Sequence, residues 1–261
     1  MVRKRKCVRD MICVLGVLLS STSLQAESAR DVLDRVVMRS FGESFRIVLT
    51  ITTFEGPKKV SSHVAWVIGQ YRPEPAAIFM AFEGPGEQEG LRYLFQMKRG
   101  EGIKGFMYDP SVKKTVRLGQ DELGADLAGS GLIVDDIKGV VAGTGEKETT
   151  LRYESVRGRQ CRVILIARPE EKAGRLVWVD EQNNVVVKLQ SLDSEGKVVR
   201  DLNVVEFFHA DSGQVFPREE EITIPGRNMR IRLRQEHGLT GVEIPPEVLD
   251  PDKFGEYKWN L

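Results

Sequence analysis

The residues that could do chemistry in this chain are few and scattered. His63, His209 and His237 lie far apart, and no pair has the i, i+2 or i, i+4 spacing that puts two imidazoles on one face. A metal site has no support in that spacing, and each histidine reads as a surface or rim residue. Ser130 stands in Gly129-Ser130-Gly131, but without the strand–turn–helix setting of a nucleophile elbow. Cys161 precedes an apolar strand over 163–166, where a half-buried, inert thiol is expected.

The acidic groups say little more. Asp135-Asp136 and residues 180–184 offer calcium-type oxygens, yet the second run lacks the alternate-acid spacing and terminal glutamate of a calcium loop. It reads as a hairpin turn. Arg218-Glu219-Glu220-Glu221 reads as a solvated strand end. Arg230, Arg232 and Arg234 alternate with Ile231 and Leu233, which makes one wet strand face without interleaved aromatics for base stacking. These patterns point away from an enzyme, a metal, a cofactor or nucleic acid, and toward a binding protein.

The elements that position these residues are mostly strands. A helix is expected over 28–41, with Val32, Leu33, Val36 and Val37 on one face, Ser28 as N-cap and Gly42 as stop. Its apolar stripe needs a surface, and the hairpin that follows is the expected one. From Phe45 the period becomes two, and short alternating runs recur between turn residues every 8–12 positions. The fold class is therefore mainly β with a few helices, as a sandwich, a barrel or a curved antiparallel meander.

One apolar face is expected to carry Ile47, Leu49, Val64, Trp66, Ile78, Met80, Tyr93, Phe95, Trp178 and Val187. Helical material to cover it is thin, limited to the first helix and pieces near 123–127 and 132–141. Such a face packs on a second sheet or leaves an apolar cavity.

The first 26 residues read as a secretory signal, with a basic start (Arg3, Lys4, Arg5, Lys6, Arg9), an apolar run over 11–19 and a cleavage site after Ala26. The mature chain would be 27–261, with 33 basic and 37 acidic residues and a net charge of −4. Such a balance gives no electrostatic reason to bind nucleic acid or an anionic membrane. Cys161 alone would remain, which leaves no intrachain disulfide. No repeat or linker divides 27–261, so one domain is expected.

Between Gly90 and Gly139 three motifs follow in order. They are Gly90-Leu91-Arg92-Tyr93-Leu94, the run from Tyr108-Asp109-Pro110-Ser111 to Arg117-Leu118, and Gly129-Ser130-Gly131-Leu132-Ile133-Val134-Asp135-Asp136-Ile137. Trp178-Val179-Asp180, Asp193-Ser194-Glu195-Gly196-Lys197-Val198 and Phe254 come later. Together they resemble the outer-membrane lipoprotein-sorting family, relatives of the periplasmic lipoprotein carrier of Lol type, over most of 75–261. Gly131 and Val134 stand where that family usually has an acidic residue and an aromatic.

The resemblance implies an open β half-barrel whose concave face is covered by helices, with an apolar cavity between. It implies a non-enzymatic, monomeric periplasmic carrier of lipoprotein acyl chains or lipid, working between an inner-membrane donor complex and an outer-membrane acceptor. The ten apolar residues above would be its wall. Leu132, Ile133, Ile137 and Val140 would be its lid, flanked by Gly129, Gly131, Gly139 and Gly143 as flexible joints. The alternative is an envelope sensing or scaffolding module that binds a protein partner through the same half-barrel.

Overall fold

The computed structural model describes residues 27–71, 75–83, 90–98, 100–209 and 213–257. The signal segment lies outside them, as do Pro73 and Trp259.

Helix α1 (Ala29–Ser40) starts where Ser28 Oγ accepts the Asp31 N–H at 3.2 Å, and ends before Gly42, whose φ is +67°. It leads into the hairpin β1 (Ser44–Glu55) and β2 (Lys58–Gln70). Strands β3 (Ala76–Glu83), β4 (Arg92–Lys98), β5 (Gly102–Asp109) and β6 (Lys114–Arg117) continue outward, each antiparallel to the one before. Two short helices follow, α2 (Gln120–Leu123) and α3 (Val134–Lys138). Then come β7 (Lys147–Val156), β8 (Arg159–Ala167), β9 (Gly174–Asp180), β10 (Val185–Leu192), β11 (Val198–His209), β12 (Val215–Ile224) and β13 (Met229–Thr240).

All thirteen strands form one antiparallel sheet in the order β6-β5-β4-β3-β2-β1-β13-β12-β11-β10-β9-β8-β7. Two meanders meet where β1 pairs with β13, with Ile51 opposite Leu233. The sheet is curved and stays open, since β6 and β7 are its two free edges. The chain between those edges, 118–146, crosses the inner face and carries α2 and α3. This is the expected half-barrel architecture.

The crossing segment fixes the inner core. Leu127, Ala128, Leu132 and Val134 pack on Phe45, Ile47, Val67, Ile78, Met80 and Phe95 of the first meander. That face is therefore already covered, and α1 cannot rest on the hairpin that follows it. Instead Val32, Leu33 and Val36 pack on Ile164, Ile166, Val177, Val179 and Leu189 of β8–β10. Each such side chain, fully buried, contributes about 1.5–3 kcal/mol.

The outer face of β2–β5 is covered by the C-terminal segment. Val248 and Phe254 pack on Phe79, Leu94 and Trp66, and the Arg92 guanidinium donates to the Gly255 and Tyr257 carbonyls at 2.6 and 2.8 Å. Gly69 marks how tightly the inner side is filled, because a Cβ there would lie 2.0 Å from the Phe45 ring.

Candidate functional site

A cleft of about 170 Å³ remains between α1, α3 and the inner face of β10–β13 and β1. Val36 and Phe41 line it from α1 and its C-terminal end, Ile137 and Val140 from the crossing segment, and Leu189, Leu202, Ile222 and Leu233 from the sheet. A second lobe of about 120 Å³ adjoins it and reaches Ile47, Val67, Ile78 and Met80. Leu49, Tyr71, Ile137, Glu220 and Leu233 border both lobes, which makes them one continuous site.

The residues expected to form the wall divide between the two faces. Ile47, Leu49, Ile78 and Met80 line the cleft. Tyr93 and Phe95 belong to the same inner core, with rings stacked at 6.1 Å, beyond the cleft itself. Val64 and Trp66 lie on the outer face. In β2 it is Ala65 and Val67 that point inward, because Val67 pairs with Met80 while Trp66 pairs with Ala81. The strand is apolar on both sides, and its bulkier residues are the outward ones.

Trp178 and Val187 are also outward, in a cluster with Cys161, Val163 and Val215. Their inward neighbours are Val177, Val179 and Val186. A bulge between Val186 and Lys188 shifts the phase of β10 at Val187. Cys161 is fully buried, and burial raises its thiol pKa.

The crossing segment places Leu132 at full burial in the inner core, with Ile137 packed beside it and Val140 against the α1 side. Ile133 is half-buried and joins neither cluster. Its backbone N–H donates to Asp136 Oδ2 at 2.9 Å and so starts α3. Val134, which the spacing did not single out, is the buried residue there.

Gly131 is a close-packed pin rather than a loose joint. Its φ is +80°, and a Cβ on it would lie 2.8 Å from Ile231 Cδ1. Thr53 Oγ1 donates to the Ser130 carbonyl at 2.7 Å, and Ser130 Oγ donates to the Leu127 carbonyl at 2.6 Å. Ser130 is thus a buried turn residue.

Two arginines tie the segment to the sheet. Arg200 of β11 donates from Nε and Nη2 to the two Asp136 oxygens at 2.8 and 2.6 Å, and to the Gly131 carbonyl at 3.0 Å. Arg175 of β9 donates to the Gly139 and Val141 carbonyls at 2.6 and 3.0 Å and to Glu146 at 2.7 Å, where Lys138 also bonds. Burial lowers the pKa of Arg175 and of Lys138. Burial alone would raise Glu146, but Arg175, the Gly143 N–H and Lys138 together bring it below its ordinary value. Burial pushes Asp136 up, against the pull of Arg200.

Glu220 departs from the solvated reading of its run. Glu219 and Glu221 do face outward, paired with Arg232 at 3.4 Å and Arg230 at 3.3 Å. Glu220 points the other way, into both lobes of the cleft. Burial, with Asp136 nearby, raises its carboxyl to about 7. Its phase was readable, since it shares strand parity with the buried Ile222 and Ile224.

An open antiparallel sheet with helices over an apolar inner cleft is the fold of the outer-membrane lipoprotein-sorting, LolA-like class, as the motifs between Gly90 and Gly139 implied. An outer membrane lipoprotein-sorting protein domain from Vibrio parahaemolyticus matches at TM-score 0.75 and 11% identity, over 88% of this chain and 98% of that one. A DUF1329 family protein from Desulfovibrio piger matches at 0.74 and 14%, over 85% and 95%. A LolA superfamily protein from Nitrosomonas europaea matches at 0.68 and 16%, over 87% and 99%. At these identities the likeness establishes the fold.

The chain itself belongs to the family whose model, described as "-like: Uncharacterized protein", matches residues 76–227. No curated protein matches it. No helix among the described residues is long and apolar enough to cross a membrane.

Proposed function

We propose that this chain is a non-enzymatic periplasmic carrier that takes up the acyl chains of a lipoprotein or lipid in the inner-face cleft. It would receive them from an inner-membrane donor and deliver them to an outer-membrane acceptor. The observation that carries this reading is the apolar cleft between the sheet and a crossing segment that polar ties hold at the sides. Leaving a long acyl chain in water costs roughly 10 kcal/mol, at ~0.8 kcal/mol per CH₂. A carrier must offset most of that cost and still let go.

Its lobes of about 170 and 120 Å³ together only approach the lower end of the roughly 300–1,000 Å³ of ordinary ligand pockets, too little for a long acyl chain. Loading therefore displaces α3 and the residues beside it, which rest on the cleft through Ile137 and Val140. The wall in this reading is Ile47, Leu49, Ile78, Met80, Ile222 and Leu233, and the lid is Leu132, Ile137 and Val140.

Titration with an environment-sensitive fluorescent acyl probe tests this. Saturable binding that long-chain lipids displace supports it. A probe that stays unbound at every concentration below its own micellisation contradicts it.

A further inference from the structure

Among the described residues the cleft holds a carboxyl that neither the sheet nor the lid employs. Glu220 projects from β12 between Leu233 of β13 and Ile222 of its own strand, and borders both lobes. Among the described residues no group hydrogen-bonds its carboxyl or pairs with it. The residue is half-buried at the meeting of the two lobes, so within the cleft only water is left to satisfy its carboxyl.

The surrounding charges are committed elsewhere. From α3, Asp136 is bound to Arg200 and Lys138 to Glu146. On β12, Arg218 lies 3.8 Å from Glu206. Tyr71 lies beyond the end of β2, with its phenol pKa raised by burial. The other walls present Val36 and Phe41 around α1, Leu49 from β1, Leu189 from β10 and Leu233 with Gln235 from β13, none of them charged.

We propose that Glu220 is the polar anchor of the cleft, and that its ligand is an acyl amphiphile whose ester or amide carbonyl accepts a hydrogen bond from the Glu220 carboxyl. This rests on the carrier reading and names the part of the cargo that the cleft recognises. A mostly apolar cleft with Asp136 at its edge favours the protonated acid, whose O–H no protein group accepts among the described residues and which an entering carbonyl can take from water. A free fatty-acid carboxylate would lose its hydration in a cleft whose cations Lys138 and Arg218 are already committed to Glu146 and Glu206. An alkylammonium would require Glu220 ionised beside Leu, Ile and Phe side chains, against the desolvation that favours its neutral form.

The test compares three probes of equal chain length: 1-monododecanoylglycerol, its 1-O-dodecyl ether, and dodecylamine. Binding to the full chain is measured by calorimetry at pH 6 and pH 8, for wild type, Glu220→Gln and Glu220→Leu. We expect wild type at pH 6 to bind the ester about 10-fold tighter than the ether, with the margin shrinking at pH 8. Glu220→Gln, which still donates, keeps the margin at both pH values, and Glu220→Leu loses it while binding the ether at least as well.

Equal binding of ester and ether by wild type would overturn the anchor and leave the carrier reading standing. A preference for the amine that grows at pH 8 would also overturn it. Binding of none of the three would overturn both. Circular dichroism of each variant separates loss of an anchor from loss of fold.

Discussion

The Arg200 guanidinium meets the Asp136 carboxylate through two hydrogen bonds, at 2.8 and 2.6 Å, and so joins β11 in the sheet to α3 in the crossing segment. Both side chains are about 90% buried. Truncating one partner leaves the other buried and uncompensated, at a cost of about 3–5 kcal/mol. We expect Arg200→Ala to lower stability by that amount and to speed hydrogen exchange of the amides over 131–141 ahead of the rest of the chain. The double variant Arg200→Leu with Asp136→Leu should recover much of the loss. Exchange that rises evenly over all strands would show that the pair does not hold the segment separately.

Gly131 supplies a second check on how the segment is seated. Gly131→Ala adds backbone strain at φ +80° and a contact 2.8 Å from Ile231 Cδ1. We expect a loss of about 1–3 kcal/mol in denaturant unfolding. Combining it with Ile231→Val removes the clashing methyl and should return part of the loss, leaving the backbone component. An Ala variant as stable as wild type would mean that this turn can rearrange freely.

These two sites also show what the sequence could and could not disclose. Period-two alternation and turn chemistry were enough for a mainly β fold, because one buried face imposes that pattern, while the open curved sheet followed from the motifs shared with the lipoprotein-sorting family. In β2 both faces are apolar, so alternation alone could not decide whether Trp66 or Val67 faced inward. The answer lay in pairing with Met80, a long-range fact. Arg200 and Arg175 interrupt apolar inner-face positions, and such an interruption is a readable sign of a buried tie. Glu220 was masked by Glu219 and Glu221, although its parity with Ile222 gave its direction. The landing of α1 on β8–β10 depended on which face the crossing segment had already filled, and no local pattern encodes that.

Glu220 makes stability depend on pH in an unusual sense. Its folded value of about 7 lies above the ordinary 4.5 of an unfolded glutamate. Between those values the unfolded chain has lost the proton and the folded chain keeps it, so stability falls as pH rises from 4.5 to 7 and levels off above. The difference is at most about 3 kcal/mol, reduced by the solvent that reaches the half-buried carboxyl. We expect Glu220→Gln to lack this decline, so that its urea midpoint relative to wild type climbs across that window. Parallel pH profiles for the two proteins would contradict the placement of Glu220.

The two faces of the sheet are separable by one pair of variants. Leu49 borders both lobes of the cleft, whereas Val64 is exposed on the outer face at 36%. Leu49→Trp fills the cleft and is expected to weaken acyl-probe binding by about 10-fold or more, roughly 1.4 kcal/mol per decade. Val64→Trp should leave binding within 2-fold. Equal effects, with both proteins folded by circular dichroism, would place the ligand elsewhere.

The most direct measurement is native mass spectrometry of the protein purified without detergent from the envelope in which it is made. An acyl carrier arrives with a bound population heavier than the bare chain by the mass of an acylated lipid or lipopeptide, and Leu49→Trp depletes that population. A protein that is bare in every preparation, in wild type and variant alike, would contradict acyl carriage as the role of this cleft.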